Sequence, residues 1–309
     1  MKVSIILPVF NEEDSIHTLV DEIFRVKDLN DKELEVVFVD DGSTDRTKEN
    51  LIKASKLYPN IKNIFLAKNF GQTAAITAGI DNAQGDVLIT MDSDLQNDPK
   101  DIPKLLKKLN EGYDVVCGWR KNRKDKFLSR RLPSKIANII ISKISQVHLK
   151  DFGCTLKAFK KDILIGIRLY GEMHRFIPIY ISWNGGKIAE EVVNHRYRKH
   201  GKSKYGISRT ASVIVDLIFL KFLEKQFSHP LHLFGGFSLL NLLLSVISFL
   251  LMLYFKFYGD KSFIETPLPQ LVILFILVGV ISFFMGLLAE ILMRTYYESQ
   301  DRKSYVKKK

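Results

Sequence analysis

Residues 91–99 read Met-Asp-Ser-Asp-Leu-Gln-Asn-Asp-Pro, directly after the aliphatic run Val87–Thr90. Asp92 and Asp94 are separated by one residue, so in an extended segment both carboxylates project to the same side. Two hard oxygen donors placed this way suit Mg²⁺ or Mn²⁺, which in turn can neutralise a diphosphate. Surface turns also produce Asp-x-Asp, so the pair gains meaning only from its place in the chain. Working outward, short β-rich runs alternate with helical patterns: Val3–Leu7 then Glu13–Val26, Leu34–Val39 then Thr47–Leu57, Ile61–Leu66 then Gln72–Ala83, Val87–Met91 then Ile102–Leu109, and Asp114–Cys117. This rhythm predicts an α/β domain with a largely parallel sheet. Ligands of such sheets bind beyond the carboxyl ends of the strands, where Asp40 and Asp41 follow the second strand and Asp92 and Asp94 the fourth.

A dinucleotide-binding domain is the obvious competitor, but Pro8–Glu12 (Pro-Val-Phe-Asn-Glu) has no glycine to let a pyrophosphate approach the backbone. A P-loop is absent as well. In Val39–Asp45 (Val-Asp-Asp-Gly-Ser-Thr-Asp), Asp40 and Asp41 read as crevice residues, with a helix cap plus turn before Thr44–Leu57 as the alternative for both, and Asp45 reads as a charge at a helix N-terminus.

The 309 residues carry 46 Lys plus Arg against 34 Asp plus Glu, a formal charge of +12 that favours anionic partners. The basic residues cluster beside apolar segments rather than along an exposed aromatic sheet, which argues against nucleic acid. Leu231–Phe255 and Thr266–Ala289 contain no Asp, Glu, Lys or Arg. Each is long enough to cross ~30 Å of hydrocarbon at ~1.5 Å per residue. Two transmembrane helices are therefore expected, at about 231–255 and 267–290. Arg294, Arg302, Lys303, Lys307, Lys308 and Lys309 follow the second span, whereas the connecting loop offers Lys256 and Lys261, so both termini are expected in the cytoplasm. The brief apolar stretch Met1–Phe10 is followed by Glu12, Glu13 and Asp14, which is wrong for a signal peptide.

Two further segments read as interfacial. A stripe of Ile136, Ile139, Ile140, Ile144 and Val147 follows a basic stretch from Arg120 to Arg131, predicting an amphipathic helix over about 126–147. A second runs through 206–228 with Val213, Ile214, Leu217, Ile218, Phe222 and Leu223 on one side. The domain plan is thus a cytoplasmic catalytic domain over 1–205, a juxtamembrane helix over 206–228, a two-helix hairpin over 229–293 and a basic tail over 294–309. Cys117 and Cys154 have neither CxxC spacing nor a neighbouring His cluster and read as buried thiols. His148, His174, His195 and His200 show no ligand spacing and read as surface or interfacial packing, with Glu172 and His174 as candidates to shape a sugar pocket.

Pro-Val-Phe-Asn-Glu, Val-Asp-Asp-Gly-Ser-Thr-Asp and Met91–Pro99 resemble the family 2 glycosyltransferases with the GT-A fold, the nucleotide-diphospho-sugar transferase fold. Asp151–Phe159 (DFGCTLKAF), Leu169–Pro178 (LYGEMHRFIP) and His200–Thr210 (HGKSKYGISRT), followed by two spans, narrow the resemblance to the polyprenyl-phosphate glycosyltransferases. The bactoprenol glucosyltransferases are the nearer group and the dolichyl-phosphate mannose synthases the more distant one. The resemblance covers nearly the whole chain and rests on several long strings in order.

It implies that Asp92, Asp94 and Gln96 form the metal and donor-phosphate site, with Mg²⁺ or Mn²⁺ as cofactor, and that Pro8, Phe10, Glu12 and Asp41 line the nucleoside pocket. Arg120, in the Gly118–Arg120 turn, joins the donor-binding residues. Arg130 and Arg131 are candidates for the acceptor phosphate, as are Arg198, Ser203 and Lys204 in a loop that by resemblance closes over the phosphates. Asp151 carries over, together with Asp94, as a catalytic carboxylate that positions or deprotonates the acceptor, or orients a neighbouring arginine. The implied reaction is inverting transfer of a hexose, glucose from UDP-glucose, to a polyprenyl phosphate such as undecaprenyl phosphate. A polyprenyl phosphate is already an anion at neutral pH, so its oxygen can attack without a strong general base. The implied setting is the bacterial inner membrane, in contact with membrane lipid and as a homo-oligomer, a tetramer by family. Three alternatives stay open: a mannose synthase using GDP-mannose, a processive polysaccharide synthase, and a sugar-nucleotide sensor without turnover. The synthase should carry a Q-x-x-R-W motif, and neither Trp119 nor Trp183 has that context.

Overall fold

The computed structural model describes residues 1–30, 32–121, 132–164, 169, 171–197, 230–259 and 261–299. The chain divides into two compact units, Met1–Ile218 and Phe219–Lys309.

The first unit is built on a seven-stranded sheet. Its strands are β1 (Lys2–Val9), β2 (Glu33–Asp40), β3 (Ile61–Phe65), β4 (Val87–Thr90), β5 (Val115–Trp119), β6 (Lys157–Lys160) and β7 (Ile188–Val192), in the order β3-β2-β1-β4-β6-β5-β7. β1 pairs in parallel with β2 and β4, and β2 with β3. Unbroken burial of Val3–Leu7 and of the whole of β4 fits central strands covered on both faces. The covering helices in this part are α1 (Ile16–Phe24), a short α2 (Lys27–Asn30), α3 (Thr47–Leu57), α4 (Gln72–Asn82) and α5 (Ile102–Asn110). α1 turns Ile16, Leu19, Val20 and Ile23 inward at the i, i+3, i+4, i+7 spacing of one helix face. Gly79 of α4 sits so close to β1 that an added Cβ would lie 2.3 Å from Ile6 Cγ2, so its missing side chain sets how closely this helix approaches the sheet.

The five strands expected from sequence are present, and two more complete the sheet. β6 runs antiparallel to both β4 and β5, and β7 pairs in parallel with β5. The sheet is therefore mixed. β6 is only Lys-Ala-Phe-Lys, and β7 is Ile-Ala-Glu-Glu-Val; neither offers the uninterrupted apolar run that marks a buried strand. Among the described residues the remaining α-helices of this unit are α6 (Leu132–Ser145) and α7 (Ile177–Trp183). α6 lies within the stretch 126–147, and its buried residues differ from the predicted stripe: Ile141 and Ser145 are buried, while Ile139 stands exposed.

Among its described residues the second unit has two α-helices, α8 (Pro230–Tyr258) and α9 (Leu268–Ser299), both long and apolar enough to cross a membrane. Their packing is inverted relative to a water-soluble bundle. Ser238, Asn241, Ser245 and Ser248 are buried, whereas Leu239, Leu243, Val246, Phe249, Leu250 and Ile281 face outward. Polar groups are satisfied within the pair: Ser245 Oγ donates to the Val272 carbonyl (3.2 Å) and Asn241 Nδ2 to the Phe237 carbonyl (2.8 Å). Gly279 and Gly286 lie against Leu242 and Phe234, the small-residue contact by which apolar helices approach closely. The expected juxtamembrane helix at 206–228 and the tail beyond residue 299 lie outside the described residues.

Candidate active site

Strand order reverses between β1 and β4, because β2 and β3 lie to one side of β1 and β4 to the other. At that switch point the carboxyl ends of adjacent parallel strands diverge and leave a crevice. Pro8 ends one wall and Asp92 begins the other; Ser93 Oγ donates to the Pro8 carbonyl across the gap (2.9 Å). The β1 and β2 loops are tied together on the first wall. Asp41 N donates to the Val9 carbonyl (2.8 Å), Asn11 N to Ser43 Oγ (2.9 Å), and Thr44 N to Asn11 Oδ1 (2.8 Å). Glu12 is buried, with its N–H on Thr47 Oγ1 and its carboxylate accepting from Ser15 Oγ. Pro8, near the end of β1, and Phe10, Glu12 and Asp41, in the loops after β1 and β2, are therefore brought together at one end of the sheet. Asn11 and Leu95 both have positive φ (49° and 63°), and each stands in one of the two loops that flank the crevice. Such strain in a non-glycine residue persists only where surrounding contacts impose it.

Asp41 does structural work in this wall. Its Oδ1 accepts from Phe70 N (2.7 Å) and its Oδ2 from Gly71 N (2.9 Å), holding the chain that opens α4. Burial pushes its carboxyl above the ordinary aspartate value against the lowering effect of those two bonds. Gly42, at φ +71°, lets the same chain approach: a Cβ there would stand 2.5 Å from the Lys68 carbonyl carbon. Asp40 closes a turn by accepting from Ser43 N, the alternative reading of its position rather than the favoured one, and Asp45 accepts from Thr47 N at the start of α3, as its sequence position suggests.

On the second wall, Asp92 Oδ1 accepts from Gln72 Nε2 (2.7 Å), and Asp94 Oδ1 accepts from the N–H of Gln96 (3.0 Å). Asp94 is buried and Asp92 half-buried. Among the described residues no group of three or more His, Cys, Asp or Glu side chains could hold a metal alone. Two carboxylates are nonetheless what a Mg²⁺-like ion uses when substrate phosphates complete its shell, so Asp92 and Asp94 with the Gln96 amide fit such an ion. The tail of this loop is pinned by the segment after β7: Arg196 N donates to the Gln96 carbonyl (2.9 Å), and Asn97 forms a bridge with His195.

Beyond β5, Arg120 and Asp151 form a two-point ion pair. Nε donates to Oδ2 at 2.7 Å and Nη2 to Oδ1 at 2.9 Å, with the Arg120 N–H also on Oδ2 (3.3 Å). Both side chains are nearly enclosed, at 12% and 4% exposure. Burial opposes the charge on Arg120, yet the adjoining Asp151 carboxylate outweighs it and keeps the guanidinium more firmly protonated than usual; Asp92 adds to the effect. Gly153 leaves room for this pair: a Cβ would lie 3.3 Å from Arg120 Nη2 and 3.9 Å from Arg175 Nη1, so two guanidinium groups flank one glycine. Arg175 pairs with Glu172 (3.3 Å). Lys157 is buried beside this cluster, donates to the Phe152 carbonyl (3.4 Å), and has its pKa lowered by desolvation. Cys117 and Cys154 are free and buried, with pKa values pushed by burial to about 12 and about 11, which makes them unreactive thiols as expected.

Arg130, Arg131, Arg198, Ser203 and Lys204 lie outside the described residues. His174 corrects the expectation of surface or interfacial packing. It is buried, with Nδ1 2.6 Å from Thr73 Oγ1, and the Thr73 hydroxyl donates to the Gly171 carbonyl. That hydroxyl has one proton, so the ring donates from Nδ1. Gln72, Lys157, Arg175 and Glu190 are polar residues of this region that sequence reasoning missed. Gln72 stands directly after Gly71 at the opening of a helix that faces the Asp92 loop, which is the signal that could have found it.

A model of glycosyl transferase family 2 matches residues 4–168. The chain is 40% identical to a dodecaprenyl-phosphate galacturonate synthase of Rhizobium johnstonii, over 99% of this chain and 92% of that protein. It is 35% identical to an undecaprenyl-phosphate 4-deoxy-4-formamido-L-arabinose transferase of Shewanella sediminis, over 98% and 90%. Among solved structures it resembles glucosyl-3-phosphoglycerate synthase of Mycobacterium tuberculosis, crystallised with Mn²⁺, UDP and phosphoglyceric acid. The TM-score is 0.56 at 18% identity, covering 72% of this chain and 78% of the other. That likeness bears on the fold, which is of the GT-A type.

Proposed function

The chain belongs to glycosyl transferase family 2, among its polyprenyl-phosphate glycosyltransferases, and from that premise we propose a specific reaction. One hexose passes from a UDP-linked donor to the phosphate of a membrane polyprenol, with inversion at the anomeric carbon. The observation that carries this reading is the meeting of two kinds of chemistry around one crevice: the Asp92 and Asp94 loop at the end of β4, and the buried Arg120–Asp151 pair beyond β5.

The donor diphosphate belongs with Asp92, Asp94 and Gln96; a divalent ion held there would neutralise its charge and make UDP a better leaving group. Asp41 and the β1 loop take the nucleoside. The acceptor phosphate attacks the anomeric carbon, the bond from that carbon to the diphosphate oxygen breaks, and UDP leaves with the electron pair. The attacking oxygen is already anionic, so the protein's task is to bring two anions together rather than to remove a proton. Asp151 fits a positioning role better than that of a base, because both its oxygens are engaged by Arg120 in a near-enclosed setting. Arg120 then presents fixed positive charge to the phosphates. α8 and α9 span the bacterial inner membrane with both termini in the cytoplasm; their outward apolar surface and internal polar contacts support this placement.

The resemblance implies glucose as the hexose, while the named relatives act on galacturonate and formamido-arabinose. The test is a screen with purified protein in detergent, Mn²⁺, undecaprenyl phosphate, and labelled UDP-glucose, UDP-galacturonate, UDP-formamido-arabinose or GDP-mannose. UDP-glucose or UDP-galacturonate should yield a lipid-linked monosaccharide. Transfer from the pentose donor UDP-formamido-arabinose alone, transfer from GDP-mannose alone, a long polymer, or binding without product would overturn the proposal.

A further inference from the structure

We infer that Glu190 is a positioning residue for transfer: its carboxylate fixes the main chain at Lys150 and Asp151 and so sets where the Arg120–Asp151 pair stands. This rests on the role given to Asp151 above. Glu190 lies on β7, the edge strand, directly opposite Cys117 of β5. One of its oxygens, Oε1, accepts from both Lys150 N (2.7 Å) and Asp151 N (3.1 Å). The carboxylate of Asp151 in turn holds Arg120, the residue that follows β5. Asp151 is thus tied to two adjacent strands, through its backbone to β7 and through its side chain to the end of β5.

Val147, Leu149 and Phe152 pack this segment inward, and its other side is open. Gln146–Leu149, the residues just before it, border a cavity of about 270 Å³ whose other walls include Ser182, Gly186 and Ile188, with Glu190 at its edge. Gln146 also has a positive φ of 59°, so the chain enters the segment through a sharp local turn. With open space on one side, directional contacts help decide the position. Besides the pair of hydrogen bonds to Glu190, Asn138 Nδ2 donates to the Lys150 carbonyl (2.8 Å), Ser142 Oγ donates to the Leu149 carbonyl (3.3 Å), and the Lys150 ammonium stands 4.0 Å from the Trp119 ring centroid. Glu190 is the contact that takes the N–H of Asp151 itself. Burial raises the Glu190 pKa, against the lowering effect of the two N–H donors, so the group is one the fold accommodates at some expense.

The test compares Glu190→Gln, Glu190→Leu and Glu190→Asp in the full-length protein, using the transfer assay and a melting curve. A single oxygen takes both bonds, and an amide oxygen has two lone pairs, so Glu190→Gln should stay within about threefold of wild-type kcat. Glu190→Leu should lose about 10²-fold in kcat, the scale of a 1 Å misplacement, with the donor KM unchanged. Should the leucine variant fail to fold, Glu190→Asp retains the charge but is one methylene too short to reach both N–H groups. It should show a kcat loss at near-normal melting temperature. A purely structural role predicts instead that kcat per folded molecule is unchanged in every variant, and that result would overturn the inference. Glu190→Gln as impaired as Glu190→Leu would overturn it too, since acceptor geometry would then not be what matters. Asp151→Asn is run in parallel. Wild-type turnover in Asp151→Asn would sink the proposed role of Asp151, whereas an inactive Asp151→Asn beside a fully active Glu190→Leu would sink only the Glu190 inference.

Discussion

Replacing Asp151 by Asn keeps the shape of the side chain and removes its charge, leaving Arg120 enclosed without its partner. The wild-type contacts are at 2.7 and 2.9 Å between side chains 12% and 4% exposed, so little solvent is at hand to take over. Breaking such a pair from one side costs about 3–5 kcal/mol, because the remaining charge stays buried. The asparagine oxygen still accepts one N–H, which puts the expectation near the lower end. For a unit of this size each kcal/mol moves the melting temperature by about 2–4 °C, so a fall of roughly 6–12 °C is expected. Arg120→Met should cost a similar amount, by stranding the carboxylate. The double variant strands nothing and should be at least about 2 kcal/mol more stable than the sum of the single losses. Melting of the three variants in one detergent closes the cycle. Losses that add to within about 0.5 kcal/mol would show that the two groups do not depend on each other, and the two-sided crevice would lose its acceptor wall.

Asp94→Asn should abolish transfer and remove the dependence of nucleotide affinity on divalent ion, with little change in melting temperature; titration of UDP with and without Mn²⁺ reads this directly. Gly79→Ala should destabilise by about 1–3 kcal/mol through the clash with Ile6 Cγ2, and Ile6→Leu, which lacks that methyl, should recover part of the loss in a thermal melt. Asp41 gives a pH signature. Its folded pKa is raised above 3.8, so its contribution to stability is present below that value and is lost as pH rises through the raised pKa. Asp41→Asn does not titrate, and its melting temperature relative to wild type should therefore improve steadily from about pH 4 upward; a difference independent of pH would contradict the assignment.

Much of this architecture was legible because the central strands advertise themselves. Val3–Leu7 and Val87–Thr90 are buried on both faces and so read as unbroken apolar runs, and the acidic loops sit at their carboxyl ends. β6 and β7 escaped because they are only four or five residues long and their apolar residues are interrupted by Lys157, Lys160, Glu190 and Glu191. The polar network was hidden too. Nothing local says that Glu190 holds the backbone of Asp151, 39 residues earlier, or that Gln72 reaches Asp92. Asp151 was proposed from its string, and the orienting role now proposed for it rests on the geometry of Arg120. Composition predicted two long apolar helices, which run longer than expected, to Tyr258 and Ser299; the burial of Ser238, Asn241 and Ser245 between them, with leucine outside, came only from the structure.

Direct displacement by a lipid phosphate has one stereochemical consequence. An α-linked UDP-hexose must give a β-linked polyprenyl phosphate, and the anomeric proton coupling of the purified lipid product, read by NMR, decides it. The account predicts the β product from a single transfer; an α product would require a second displacement at the sugar and would contradict it.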